Sequence, residues 1–333
     1  MKHGANIYKY AKKLGCEPHE IIDFSSNINT HTLKPNIELS DELIVKYGDS
    51  SYKNLKKTIA SKYFIKKKQV ALFNGASSAI FELFKSLKEK RVYLYAPLYG
   101  EYEKAAQQTN KEIIKINRYE NIQVTPKKNS IVVFVNPSTP DGKHYTLDKL
   151  LKIWEKQNCT IILDESFLEF ESLPSSSVAI HKNKYLYIVK SFTKFHSCAG
   201  VRIGAIFSHQ KNIRKLQHPL WHLSSFDTQF LLQRLQDTSF EEKSKKVHKK
   251  QKKELYKILK NAQLFETIYK SDANFFLVKT KHATTIFKQL LKNKILIRTC
   301  DSFDFLNKDY LRFAVKDKKA HKTLKQELHN ALS

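Results

Sequence analysis

The sequence predicts an α/β fold, with a mostly parallel seven-stranded sheet covered by helices on both faces and a smaller α+β unit after it. Three observations lead there. Short runs rich in β-branched and aromatic residues recur through the middle of the chain without polar alternation, as strands buried on both faces do. Stretches with helical spacing of apolar residues separate most of these runs, and strand–helix alternation implies parallel pairing through crossovers. After Pro219 the pattern changes to a long basic helical stretch followed by shorter strands.

Residues 1–40 are irregular in pattern and are expected to form an arm that joins the second unit. In the large unit, residues 41–225, the strands are expected at Val70–Phe73, Val92–Tyr95, Ile113–Ile116, Ile131–Val135, Thr160–Leu163, Tyr185–Val189 and Ile203–Phe207. Helices are expected over Ser77–Glu89, Tyr99–Asn110 and Leu147–Gln157. In the small unit, residues 226–333, one helix from about Asp227 to Lys260 precedes strands near Phe275–Val278, Ile295–Arg298 and Tyr310–Phe313. A helix from about Lys319 closes the chain. Ligands on such sheets gather outside the carboxyl ends of the strands.

A chain of 333 residues, 41% hydrophobic, can bury one large core and one smaller core. No apolar stretch approaches the roughly 18 residues that span a bilayer. The opening Met1-Lys2-His3-Gly4-Ala5-Asn6 has no apolar signal region, and Cys16, Cys159, Cys198 and Cys300 are scattered. A cytoplasmic protein with reduced thiols is expected. The formal net charge of +27 raises a nucleic-acid surface centred on Lys243, Lys245, Lys246, Lys249, Lys250, Lys252 and Lys253. Lysine far outnumbers arginine, however, and no aromatic residue interleaves the run as base stacking would require. The run is expected to be a solvated helix face, with an added attraction for anionic substrates. His218 and His222 have metal-ligand spacing, but Pro219 lies between them and no carboxylate partner is evident, so no metal is expected. No nucleophile elbow, Walker loop or dinucleotide fingerprint is present.

With only 8 glycines, the chain should keep them where backbone geometry or ligand approach demands it. Gly75 lies between a strand and a helix in Asn74-Gly75-Ala76-Ser77-Ser78, where the amides of a helix N-terminus bind phosphate. Gly142 closes Asn136-Pro137-Ser138-Thr139-Pro140-Asp141-Gly142 after the fourth strand, and Gly200 and Gly204 flank Arg202. Lys194 follows Ser191 and Thr193 and precedes this Ala-Gly-x-Arg-x-Gly turn. Hydroxyls and a guanidinium can hold a phosphate there while a primary amine reaches a carbonyl beside it. A cofactor that is both a phosphate ester and an aldehyde would need both. Lysine ordinarily titrates near 10.4, and Arg202 with partial burial would lower that and free the amine. Asp164 and Glu165 end the fifth strand, where an unpaired carboxylate is costly, one strand–connection unit before Lys194.

Over nearly the whole chain, and in the same order, these segments resemble the fold-type I pyridoxal-phosphate enzymes of the aminotransferase class I/II superfamily. The resemblance implies pyridoxal 5'-phosphate on Lys194, which would bind its aldehyde carbon and then shuttle protons. Asp164 would keep the ring nitrogen protonated so that the ring acts as an electron sink. Asn136 would hydrogen-bond the ring's 3-oxygen, and Tyr99 would stack on the ring. Ala76, Ser77, Ser191 and Arg202 would bind the phosphate, and Tyr47 would cross a homodimer interface to the neighbour's phosphate. Arg312 would clamp the substrate carboxylate with its planar fork.

Two branches of the superfamily fit, the histidinol-phosphate aminotransferases and the threonine-phosphate decarboxylases of cobalamin biosynthesis. His3-Gly4-Ala5-Asn6-Ile7, the run Asp23–Asn29, the run Asp164–Phe170 and Thr193-Lys194-Phe195 look more like the decarboxylases. That branch implies Arg298 for the substrate phosphate, His3 as an added phosphate contact, and Asn27 and Asn136 at the substrate. Phe167 stands where many aminotransferases carry a tyrosine that donates to the 3-oxygen, leaving Asn136 as the main donor. Thr30 and Ala205 depart from a usual proline and a common aromatic. The implied activity is decarboxylation of threonine phosphate or serine phosphate. Histidinol-phosphate transamination is the alternative, and a silent basic binding protein of the same fold is a remote one.

Overall fold

A computed structural model of the chain describes residues 4, 6–32, 37 and 40–330. The arm carries a helix over Ile7–Leu14 and a two-residue strand, β1 (Ile22–Asp23). The large sheet comprises β2 (Val70–Asn74), β3 (Arg91–Ala96), β4 (Glu112–Asn117), β5 (Ile131–Val135), β6 (Thr160–Asp164), β7 (Leu186–Ser191) and β8 (Ile203–Ser208). Its spatial order is β2-β8-β7-β6-β5-β3-β4. Pairing is parallel from β4 through β7, and β8 runs antiparallel to both β7 and β2. The expected seven-stranded, mostly parallel sheet is therefore present.

The apolar character of the strands follows from cores on both faces. Along β5, Val132 and Phe134 pack on one side with Tyr95, Trp154 and Leu163, while Ile131 and Val133 pack on the other with Phe84, Leu94 and Tyr102. Trp154 is fully buried, and its indole N–H donates to the Tyr95 hydroxyl at 2.9 Å, so no polar atom is stranded there.

The second unit contains β9 (Thr267–Ile268), β10 (Phe275–Lys279), β11 (Ile295–Leu296), β12 (Arg298–Thr299) and β13 (Tyr310–Ala314). An antiparallel sheet has the order β12-β13-β10-β9. The strand expected at Ile295–Arg298 is split: β11 leaves the sheet to pair in parallel with β1, and β12 stays beside β13. Phe24 joins Phe276, Leu311, Phe313 and Leu324 in the second core, which ties the arm to this unit.

The single helix expected over Asp227–Lys260 is two helices, Ser225–Gln236 and Thr238–Asn261. Asp237 breaks them, and its carboxylate caps the second by accepting from the Phe240 amide at 2.9 Å. Phe230 and Leu231 place the first helix on the large core, beside helix Lys53–Lys62. The second packs on the terminal helix, Lys318–His329. The first of the two helices thus packs on the large core, and the second reaches from Phe240, beside Phe167, Phe170 and Phe195, to Leu255 and Leu259 in the second core. Lys243, Lys246, Lys249, Lys250 and Lys253 lie exposed on the second helix, opposite buried Ser244, His248 and Leu255. No helix among the described residues is long and apolar enough to cross a membrane.

His196 is buried among Phe192, Phe195 and Phe240, and neither ring nitrogen has a hydrogen-bond partner among the described residues. Burial pushes its pKa down to about 4. Between the unfolded value near 6.5 and this folded value, only the unfolded chain takes up the proton. Stability is therefore full above that window and falls as pH drops through it. Unfolding midpoints measured from pH 7 to pH 4 should decline, and His196→Phe should remove much of that decline.

Candidate active site

The carboxyl ends of β2, β3, β5, β6 and β7 and the amino end of the reversed β8 meet on one edge of the large sheet. They surround a cavity of about 410 Å³ that the arm and the second unit close from the other side. In the spatial order of the strands, β2 supplies Ala76 and Ser77, β8 Arg202, β7 Ser191 and Lys194, β6 Asp164, and β5 Thr139. Tyr99 and Phe167 also line the cavity.

The β2–β8 end is built for an anion. Helix Gly75–Ser86 begins there, and Asn74 provides no side-chain cap, so the first-turn amides are not satisfied by a capping residue. Gly75 has φ +79°, and a Cβ on it would meet Arg202 Nη2 at 2.6 Å. A Cβ on Gly204 would run into the Ala76 backbone nitrogen. Both glycines are needed for β8 and Arg202 to close on the first turn. Ser77 Oγ lies 3.2 Å from the Tyr99 hydroxyl, and Ser191 Oγ lies 2.9 Å from Thr193 Oγ1.

Lys194 Nζ donates to Ser191 Oγ at 3.2 Å and lies 5.3 Å from the centre of the Phe167 ring. Burial lowers its pKa; Asp164 opposes this, and Arg202 and Arg312 add to it. Asp164 is only 4% exposed, and its Oδ2 accepts from the Tyr102 hydroxyl at 2.8 Å, its Oδ1 from the Ser166 amide at 2.9 Å. Strand alternation turns Glu165 to the opposite side, where it accepts from Ser175 Oγ at 2.6 Å and the Ser176 amide at 2.8 Å. Of the two acids at this strand end, only Asp164 faces the cavity.

The turn after β5 corrects one expectation. Asn136 does not line the cavity: its Nδ2 donates to the Tyr145 carbonyl at 3.0 Å and its Oδ1 accepts from the Tyr145 amide at 2.8 Å. One Nδ2 hydrogen and Oδ1 are thus engaged by the Tyr145 main chain. Thr139, three residues on, faces inward instead. A buried fork from Arg118 to Asp141, at 2.6 and 2.9 Å, holds this turn, and Arg118 also donates to the Thr139 carbonyl at 3.3 Å. Sequence reasoning passed over Thr139, although it stands in the same turn.

Arg298 and Arg312 are register partners on β12 and β13, and both line the cavity. Arg312 is 6% exposed and donates to Thr139 Oγ1 at 3.0 Å and to the Ser25 carbonyl at 3.2 Å. Its Nε has no partner among the described residues, and burial pushes its pKa down to about 10. Arg298 donates to Ser302 Oγ at 2.8 Å. Asn27 lines the cavity with Oδ1 buried and unpartnered among the described residues. Beside the opening, Lys115 bridges Glu103 at 2.8 Å and Asp304 of the second unit at 2.7 Å.

Besides Asn136, two more expected site residues are not in this group. Tyr47 is 83% exposed, packs 4.6 Å from the Trp221 ring and does not line the cavity. His3 lies outside the described residues. His218 and His222 lie against each other with ring centres 4.2 Å apart, and His222 Nε2 bonds the Leu72 carbonyl at 2.9 Å.

The residues present fit a phosphate ester that is also an aldehyde and a pyridine. Hydroxyls, a guanidinium and a helix start suit the phosphate, an amine of lowered pKa suits the aldehyde, and a fixed carboxylate suits the ring nitrogen. Fold and cavity define a fold-type I pyridoxal-phosphate-dependent enzyme. The chain belongs to the aminotransferase class I and II family, whose profile matches residues 4–326. It is 31% identical to the adenosylcobalamin biosynthesis bifunctional protein CobDQ of Leptospira interrogans, over 97% of this chain and 40% of that protein, so it spans less than half of that relative's length. It is 25% identical to the threonine-phosphate decarboxylase of Salmonella typhimurium, covering 99% of this chain and 96% of that one. Among solved structures, the histidinol-phosphate aminotransferase from Clostridium acetobutylicum matches with a TM-score of 0.81 at 28% identity, covering 93% of this chain and 98% of that one.

Gly204→Ala should force β8 away from the first turn of the Gly75–Ser86 helix. The expected cost is about 1–3 kcal/mol in urea denaturation, with faster loss of pyridoxal phosphate on dialysis. An unchanged midpoint with unchanged retention would mean that the first turn can yield.

Proposed function

We propose that the protein decarboxylates a phosphorylated amino acid, threonine phosphate or serine phosphate, in cobalamin biosynthesis. One observation carries the reading: Arg298 and Arg312 stand side by side on the second-unit wall, apart from the anion cradle formed by Ala76, Ser77, Ser191 and Arg202. The cradle suits the cofactor phosphate, and the arginine pair suits a substrate with two further anionic groups, a carboxylate and a phosphate. Histidinol phosphate has no carboxylate. The two curated relatives described above support the same branch.

Pyridoxal phosphate, when bound, supplies an electron sink joined to the substrate's amino-bearing carbon. The chain's part is to place and protonate. Lys194, its pKa lowered by burial, would offer its amine to the cofactor carbonyl and afterwards carry a proton at Nζ. Asp164, fixed by Tyr102 and Ser166, holds the proton on the ring nitrogen, and Tyr99 covers one ring face. Arg312 takes the carboxylate and Arg298 the substrate phosphate, with Asn27 and His3 as further contacts. Exposed Tyr47 suits a homodimer in which it reaches the neighbouring site. The likeness to a histidinol-phosphate aminotransferase structure keeps transamination as a second reading.

The test is to incubate the purified protein with threonine phosphate, serine phosphate and histidinol phosphate. Carbon dioxide release without a keto acid is expected from the first two. Amine transfer that depends on a keto acid would overturn the reading in favour of the aminotransferase. Lys194→Ala should lose the borohydride-fixed cofactor; if fixation persisted, another lysine would carry it. Arg298→Ala should lower kcat/KM for the phosphorylated substrate by roughly 30-fold or more while the cofactor is retained.

A further inference from the structure

β6 and β7 lie side by side, and residues at their carboxyl ends that do not line the cavity form a buried ionic cluster. Lys190, only 1% exposed, brings Nζ within 2.6 Å of Glu169 Oε1 and 3.7 Å of Glu165 Oε2. The Tyr63 hydroxyl donates to the same Glu169 oxygen, and Lys190 Nζ stands 4.9 Å from the centre of the Tyr63 ring. Burial works to raise the Glu169 pKa, but Lys190 and Tyr63 outweigh it and hold the carboxyl below its ordinary value.

One contact joins this cluster to the active site. Lys190 Nζ donates to the Glu165 carbonyl at 3.2 Å, and the Leu168 amide donates to the same oxygen at 3.2 Å. That carbonyl belongs to the same peptide group as the Ser166 amide, which donates to Asp164 Oδ1 at 2.9 Å. In a trans peptide the C=O and N–H point in opposite directions, so this group spans from the ammonium to the carboxylate. A cation at the oxygen polarises the group and strengthens the bond that its N–H donates. The Leu168 amide holds the carbonyl as well, but brings no full charge to it.

We propose that Lys190 is a positioning residue for the reaction: through the Glu165–Ser166 peptide it fixes Asp164 and strengthens the hydrogen bond that Asp164 receives. The inference rests on the reading of Asp164 as the partner of the cofactor's ring nitrogen. A donor to a carboxylate favours its ionised form. Held in this way, Asp164 leaves the proton on the ring nitrogen instead of taking it, and a protonated ring withdraws electrons best. Glu169 and Glu165 supply the counter-charge that lets an ammonium stay buried behind the site.

The experiment is NMR of the protein loaded with pyridoxal phosphate isotopically labelled at its ring nitrogen, at neutral pH and without substrate. Wild type is compared with Lys190→Met, Glu169→Gln, the double variant of both, and Asp164→Asn. Lys190→Met removes the ammonium at similar volume, and its ring-nitrogen signal should move toward the unprotonated position. The double variant also removes the stranded carboxylate, so it folds where the single variant fails to, and the same move is expected. Glu169→Gln disturbs the buried pair but keeps the ammonium on the carbonyl, and its signal should match wild type. For threonine phosphate, kcat of Lys190→Met should fall about tenfold, the worth of one hydrogen bond to a charged group, with KM within about twofold. An unmoved signal in both Lys190 variants, or an equal move in Glu169→Gln, overturns the assignment. A loss confined to KM overturns it too, because a merely structural role would produce that. An Asp164→Asn signal like that of wild type overturns instead the reading of Asp164 on which the inference rests. The signal is read without substrate, so it stands whichever of the two reactions the enzyme performs.

Discussion

Where β8 passes the first turn of the Gly75–Ser86 helix, there is no room for a methyl group on Gly204, and Arg202 takes up the space beside Gly75. This contact fixes the distance between the amides at the start of that helix and the strand pair β7–β8. Lys194 hangs from the end of β7, and Asp164 from its neighbour β6. The phosphate-binding end and the amine are therefore positioned by one close backbone approach, and the parallel register of β6 and β7 carries the spacing on to the carboxylate. Loops alone would hold such distances loosely; strand ends locked in a sheet do not.

Cavity-lining groups at strand ends were legible in the sequence because a buried apolar run announces where it stops. Asp164 and Ser191 end such runs, Ser77 and Lys194 follow within a few residues, and Arg202 stands just before the next, so local pattern sufficed. Thr139 was not legible. Within Asn136–Gly142, the side chain that faces inward depends on how the turn is folded, and that is decided by Arg118 and Tyr145, distant or later residues that bond to it. The break at Asp237 was missed for another reason: helical residues run on both sides, and the one capping aspartate between them is a weak signal in a long polar stretch. The split of β11 from β12 depends on pairing with β1, more than two hundred and seventy residues earlier in the chain, which no local pattern reveals.

The cavity is assembled against the interest of stability. A lysine of lowered pKa and a buried arginine with an unpartnered Nε have been drawn out of water. Asp164 offsets part of the lysine's cost, and Tyr102 and Ser166 secure Asp164 in turn. What remains is an excess of positive potential, directed at a space shaped for anions. An anion bound there would give those buried cations a partner and so stabilise the folded chain.

The two units meet at the cavity's rim through Lys115, which holds Glu103 on its own side and Asp304 on the other. These are half-exposed ion pairs, weak one by one and screened by dissolved salt. Closure at this point is thus ionic rather than packed. Dissolved salt therefore loosens this one link between the two units at the rim more than it loosens the packed contacts deeper in the cavity wall.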